Sequence, residues 1–126
     1  MKLIITASIW KAEFERLAKT FPLEVLKAAA KKSLQGLGKE IKSNIKIAST
    51  ILKKIPLTST GGAGRAAFLI LVDDKKAVLV MLRLKNNKQI GANMSVQNPK
   101  FNKIFGKNLT LLLKDIENGD FEEYEL

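Results

Sequence analysis

Residues 66–84 read AAFLILV (66–72), DDKK (73–76) and AVLVMLRL (77–84). Two apolar runs of strand length, rich in Leu, Ile and Val, flank a short charged turn. The stretch therefore predicts an antiparallel hairpin. Neither run alternates apolar with polar residues, and a strand that is apolar on both faces is covered on both. The hairpin is thus expected at the centre of a sheet, with helices over one side.

The flanking sequence supplies the rest of an α+β fold. Leu3, Ile4 and Ile5 predict a short first strand, with Ser8 as N-cap of the helix that follows. Trp10, Phe14 and Leu17 give that helix an apolar face to about Thr20, and Pro22 stops it or opens the next. Leu26, Ala30, Leu34, Leu37, Ile41, Ile45, Ala48 and Leu52 then step by three or four, predicting a long second helical segment that ends before Pro56. Gly36 and Gly38 cost about 1 kcal/mol each inside a helix, so a kink or break is expected there. Residues 58–64 hold Gly61, Gly62 and Gly64 and predict a mobile connecting loop. They lack the spacing of a Walker phosphate loop.

Beyond the hairpin, a further short strand is expected from about Gln89 to Met94. Asn98-Pro99 then opens a final helix carrying Phe101, Phe105, Leu109, Leu112 and Ile116 on one face. Gly119 ends it. The acidic tail after it predicts an edge strand or loose chain. The expected organisation is a single domain, 1–126: a strand and helical hairpin (1–56), an antiparallel sheet (64–95), a C-terminal helix (98–118) and the tail (119–126).

Composition narrows the chemistry. The chain has 126 residues, no Cys and no His, which excludes disulfides, thiolate metal sites, a cysteine nucleophile and the Ser-His-Asp triad. No metal or cofactor is expected. No apolar run reaches 18 residues, so a soluble, cytoplasmic protein away from membranes is expected. The net charge is +10. All 22 Lys and Arg lie at or before Lys114, whereas six of the twelve acids lie after it, so a +16 body precedes a −6 tail. Such a body attracts polyanions and releases their counterions on binding.

The cations at the margins of the expected sheet are the candidate site. Arg65 opens one central strand, Arg83 and Lys85 close the next, and Lys88 follows. Lys53 and Lys54 precede Pro56. Arginine grips phosphate bidentately, and a lysine among like charges loses its proton more readily, so the set suits phosphodiester chemistry. Register decides whether the arginines meet. A four-residue turn centred between Asp74 and Lys75 sets Arg65 opposite Leu84, on the other face from Arg83. An odd connection or a bulge sets Arg65 opposite Arg83 or Lys85. Asp73 and Asp74 read as turn residues and Trp10 as core. Tyr124 lies in the acidic tail. Residues 115–126 are also expected to fold back on basic surface if they are not simply a solvated tail.

The element order resembles the RelE/ParE/HigB toxin superfamily of type II toxin–antitoxin systems. Val80-Met81-Leu82-Arg83-Leu84-Lys85-Asn86-Asn87-Lys88 is similar to the HigB-like strand that runs into a Lys-Asn/Ser-x-Lys turn. Gly64-Arg65 entering Phe68-Leu69-Ile70-Leu71 resembles that family's strand with an arginine at its start. Leu3-Ile4-Ile5 followed by Trp10-Lys11 and Phe14 is compatible with its opening. The resemblance implies a toxin that cleaves messenger RNA on the ribosome, using basic residues to activate the ribose 2′-hydroxyl. The catalytic roles fall on Arg65, Arg83 and Lys85, and phosphate contacts on Lys53, Lys54 and Lys88. It also implies a cognate antitoxin, bound as a hetero-oligomer, or a homodimer. The chain departs from the pattern in lacking a His and a Tyr near the strand ends. That departure keeps two alternatives in view, a ParE-like inhibitor of DNA gyrase and a non-catalytic nucleic-acid-binding module.

Overall fold

The computed structural model describes residues 1–43, 46–90 and 93–126. The first strand, β1 (Lys2–Thr6), leads into a helical segment, α1. This segment is α-helical over Ala7–Ile9, π-helical over Trp10–Phe14 and 3₁₀ over Glu15–Leu17. Then follow α2 (Leu23–Leu34), β2 (Lys39–Glu40), β3 (Thr50–Ser59), β4 (Gly62–Leu71), β5 (Lys76–Leu84), α3 (Pro99–Glu117) and β6 (Phe121–Glu125). The six strands form one sheet in the order β2-β3-β4-β5-β1-β6. All neighbours are antiparallel except β1 and β5, which run parallel. The α+β class, the central hairpin and the C-terminal helix are as expected. No helix among the described residues is long and apolar enough to cross a membrane.

The centre of the sheet is buried on both faces. Ala66 and Phe68 on one side of β4, and Ala67 and Leu69 on the other, are at most 1 % exposed, which is why the runs show no alternation. Phe21, just before α2, packs against the face that carries Gly64. A β-carbon on Gly64 would lie 2.6 Å from the Phe21 ring and 2.7 Å from the Arg83 carbonyl oxygen. Only glycine fits there. Thr60 and Gly61 make the tip of the β3–β4 hairpin, where Ser59 pairs with Gly62. Most of the expected mobile loop is therefore strand.

The largest correction concerns the long second helix. It stops at Leu34, because Gly36 (φ 92°) and Gly38 (φ 93°) take left-handed backbone that a helix cannot continue through. The described residues beyond them include β2 and β3, so the sheet begins well before residue 64 and Pro56 sits inside a strand. Proline is tolerated there because β2 pairs with β3 at Lys53 and Lys54, leaving Pro56, among the described residues, on an open edge where no N–H is required. Ile45 lies outside the described residues.

Two smaller expectations also change. Gln89, Ile90, Asn93 and Met94 are not in a strand, and Gly91 and Ala92 lie outside the described residues. Ser8 does not cap α1 from in front, since the helix already begins at Ala7. Its N–H is instead capped by Asp115 of α3, with Oδ2 at 2.8 Å. Burial opposes the charge on Asp115, but the Ser8 hydrogen bonds, together with Thr6 and the Lys114 charge, outweigh it and hold the carboxyl below its ordinary value.

The tail does fold back. β6 adds antiparallel to β1, with Leu3 opposite Tyr124. Glu123 reaches Lys76 at 3.2 Å and Lys2 at 3.6 Å, and Glu125 reaches Lys2 at 3.4 Å. Glu123 and Glu125 thus meet basic groups beside their own strand.

Candidate functional site

The hairpin turn is even but one residue earlier than expected. Leu71 pairs with Lys76, so residues 72–75 turn about Asp73-Asp74. Continued without interruption, that register would set Arg65 opposite Leu82 and turn Arg83 to the other face. A bulge intervenes. Phe68 pairs with Leu79 and Ala67 with Met81, leaving Val80 without a partner. From there Arg65 stands directly opposite Arg83. Cross-strand partners share a face, so the bulge brings the two arginines together.

The same alternation places Lys54 on that face, since Lys54 is opposite Ala67 and Pro56 opposite Arg65. Lys39 of β2 is opposite Lys54 and joins the row. Lys53 falls on the reverse face, opposite Phe68, and its Nζ lies 3.5 Å from the Leu37 carbonyl oxygen. Lys85 is exposed just past β5, its N–H donating to the Ala63 carbonyl at 2.9 Å. Lys88 is exposed in the turn that follows.

Arg65 and Arg83 share a rung but have different surroundings. Arg65, half-buried, lines a cleft of about 370 Å³ with Gly38, Lys39, Lys54, Ile55 and Pro56. The strands close tightly here, because a β-carbon on Gly38 would lie 2.9 Å from the Lys54 carbonyl oxygen. Lys54 is half-buried and its Nζ donates to the Met94 carbonyl at 2.9 Å. Loss of water around it, with the charges of Lys39 and Arg65, pushes its ammonium group below the ordinary lysine value. A lysine shifted this way beside an arginine can hold a phosphate and exchange a proton near neutrality more readily than an exposed one.

Arg83 is tied down. Its Nη1 donates to Glu13 Oε1 and, at 3.0 Å, to the Leu82 carbonyl. Glu13 is 1 % exposed. Its Oε1 also accepts the Leu82 N–H at 2.9 Å, and its Oε2 accepts Asn108 Nδ2 at 3.1 Å. Asn108 donates to the Val80 carbonyl at 2.9 Å as well. These contacts have one cause. β1 pairs with β5 only as far as Val78, so Val80 and Leu82 present backbone groups to an empty edge. Glu13 from the π-helical turn and Asn108 from α3 fill it, and the bulge is held by side chains in place of a strand.

Sequence reasoning did not single out Glu13, Asn108 or a site role for Lys39. The first two carry a readable signal. Glu13 falls on the Trp10–Phe14–Leu17 stripe and Asn108 on the Phe105–Leu109–Leu112 stripe, and a polar group on an apolar face is the informative exception. Lys39 carries none, because its position depends on β2 replacing a helix. Compared with known protein families, curated proteins and solved structures, the chain matches none of them.

Proposed function

We propose that the chain is a RelE-like toxin of a toxin–antitoxin pair, a metal-independent endoribonuclease that cleaves messenger RNA on the ribosome in the cytoplasm. The observation that carries this reading is Lys54, its proton affinity lowered, in one cleft with Arg65 and Lys39. The order of strand, two helical segments, antiparallel strands and C-terminal helix supports it. So does the basic body.

In this reading Arg65 grips the non-bridging oxygens of one phosphodiester. Neutral Lys54 takes the proton of the adjacent ribose 2′-hydroxyl, and the 2′-oxygen attacks phosphorus. The bond from phosphorus to the 5′-oxygen breaks. That oxygen takes a proton from the Lys39 ammonium, leaving a 2′,3′-cyclic phosphate and a 5′-hydroxyl end. Solvent restores both lysines. Lys85 and Lys88 attract flanking backbone, and Arg83 with Glu13 keeps the rung in place. A cognate antitoxin would hold the toxin inactive.

Induced expression tests the reading, with growth, RNA and DNA followed separately. Arrest with new 5′-hydroxyl ends inside translated messages, lost in Lys54→Met, is the expected result. Arrest with broken DNA and intact RNA would replace it with gyrase inhibition. RNA binding without cleavage would leave a non-catalytic module.

A further inference from the structure

A second groove lies beyond the cleft, on the Arg83 side of the rung. It encloses about 630 Å³ between α1, the end of β5, the turn after it and α3. Small-ligand sites commonly occupy 300–1,000 Å³. Its walls combine two chemistries. Leu17, Leu84 and Ile104 are half-buried and apolar, whereas Arg16, Arg83, Asn86, Asn87 and Gln89 are polar.

The polar wall is biased towards donors. Arg83 uses only Nη1 in its bonds to Glu13 and Leu82, so Glu13 fixes the guanidinium plane while Nε and Nη2 carry none of those bonds. Asn87 Oδ1 accepts the N–H groups of Gln89 and Ile90, both at 3.0 Å. That fixes its amide with the NH₂ end as the remaining polar group. Arg16 Nη2 is held by the Ala12 carbonyl at 2.7 Å. Preset donors beside apolar surface suit a flat, acceptor-rich heteroaromatic ring attached to an anionic group. A nucleotide has that chemistry, and guanine offers two adjacent acceptors that an arginine fork matches.

We propose that this groove binds one nucleotide of single-stranded RNA, with Arg16, Arg83 and Asn87 as its recognition residues and guanine the preferred base. The placement rests on the reading of the neighbouring cleft as a phosphate site. Because Arg83 and Arg65 are cross-strand partners, a chain whose phosphate lies at Arg65 can run on over Arg83. The groove then takes the adjoining nucleotide, and base preference is set away from the bond that breaks.

Amide chemical shifts test this without any cleavage. The protein is titrated with 5′-GMP, with 5′-UMP, with ribose 5-phosphate and with 2′-O-methyl GpGpG, which lacks the attacking hydroxyl. The expected result is that 5′-GMP and the trinucleotide shift the amides of Arg16, Leu17, Leu84, Asn86 and Gln89. UMP should bind several-fold more weakly. Ribose 5-phosphate should act only near Lys39, Lys54 and Arg65. Arg16→Gln, at an exposed position, should lower GMP affinity about tenfold and leave ribose 5-phosphate binding unchanged. Groove amides that ignore GMP, or that respond equally to ribose 5-phosphate, overturn the proposal. Tighter binding of the trinucleotide than of GMP identifies the RNA strand as ligand. The reverse order would make the groove a site for free nucleotide and overturn the RNA assignment. A chain that binds GMP here but arrests no growth keeps this groove and loses the cleavage reading. Cleavage with a silent groove does the opposite.

Discussion

Arg65 and Arg83 are the same residue type on facing positions of one rung, and the structure uses them differently. Arg83 stands where β5 outruns β1, so its neighbours are exposed backbone groups and the buried carboxylate that satisfies them. Arg65 stands between β3 and β5, where the backbone is already paired, and shares its cleft with two lysines. A cation next to an unfinished sheet edge is drawn into completing it. A cation over a finished ladder instead lines the cleft between the strands. Sequence position alone treats the two as equals.

The comparison breaks first at Glu13. Glu13→Leu leaves the Leu82 N–H without its acceptor and Arg83 without its counter-charge, only 12 % exposed. Loss of one partner of a buried pair costs about 3–5 kcal/mol, so denaturant unfolding should show a drop near the lower end, since Arg83 has some route to water. Arg83→Gln, which strands Glu13, should cost about 3 kcal/mol. Arg65→Gln should cost about 1 kcal/mol in the same assay. RNA affinity sharpens the contrast, because Arg65→Gln should flatten its salt dependence by about 1 in log–log slope. Equal stability losses at both arginines would end the distinction.

Asn108→Ala should cost about 1–3 kcal/mol, because the Val80 carbonyl is left unsatisfied at the bulge. Thermal melting checks it. Gly38→Ala sharpens the other side of the rung. It forces a side chain into left-handed backbone and against the Lys54 carbonyl oxygen, costing about 1–3 kcal/mol. It should shift the resonances of Lys54 and Arg65 and leave those of Glu13 and Arg83 alone. The smallest effect is at the tail. A hydrogen bond from Lys76, with the charges of Lys76 and Lys2, holds the Glu123 carboxyl below its ordinary value. Its stabilising contribution is therefore present above the unfolded carboxyl value and is lost as pH falls through the lowered one. Amide exchange of β6 should quicken over that acidic range, and Glu123→Gln should remove this pH dependence.

Much of the fold was readable because its strongest signals were local. Residues 66–72 and 77–84 became β4 and β5 within a few residues, and Asn98-Pro99 opened α3 with the Asn98 side chain accepting the Lys100 N–H. The described residues between 35 and 59 were misread for a physical reason. Leu37, Ile41 and Leu52 happen to match a helical period, and β3 buries Leu52, Ile55 and Leu57 on both of its faces, so it shows no alternation. Gly36 and Gly38 were read as a kink or break within a helical segment that resumes, and they are instead where the helix ends. That error reached the site. Lys39 lies in the stretch expected to be helical, yet it pairs with Lys54. The meeting of Arg65 and Arg83 depended on a bulge, one of the two routes, with an odd connection, that the sequence left open. Its cause was not visible, because Glu13 and Asn108 are 95 residues apart in the chain.

In the proposed reaction Lys54 exchanges the proton in the cleft beside Arg65. Single-turnover cleavage of a message on programmed ribosomes tests it, comparing the wild-type chain with Lys54→Arg across pH. Arginine keeps the positive charge and cannot act as base near neutrality. Lys54→Arg should bind RNA as well as the wild type but cleave at least about 100-fold more slowly. The wild-type rate should rise with pH as Lys54 loses its proton, and the variant's residual rate should lack that rise. Cleavage by Lys54→Arg at the wild-type rate, with the same pH profile, would contradict it.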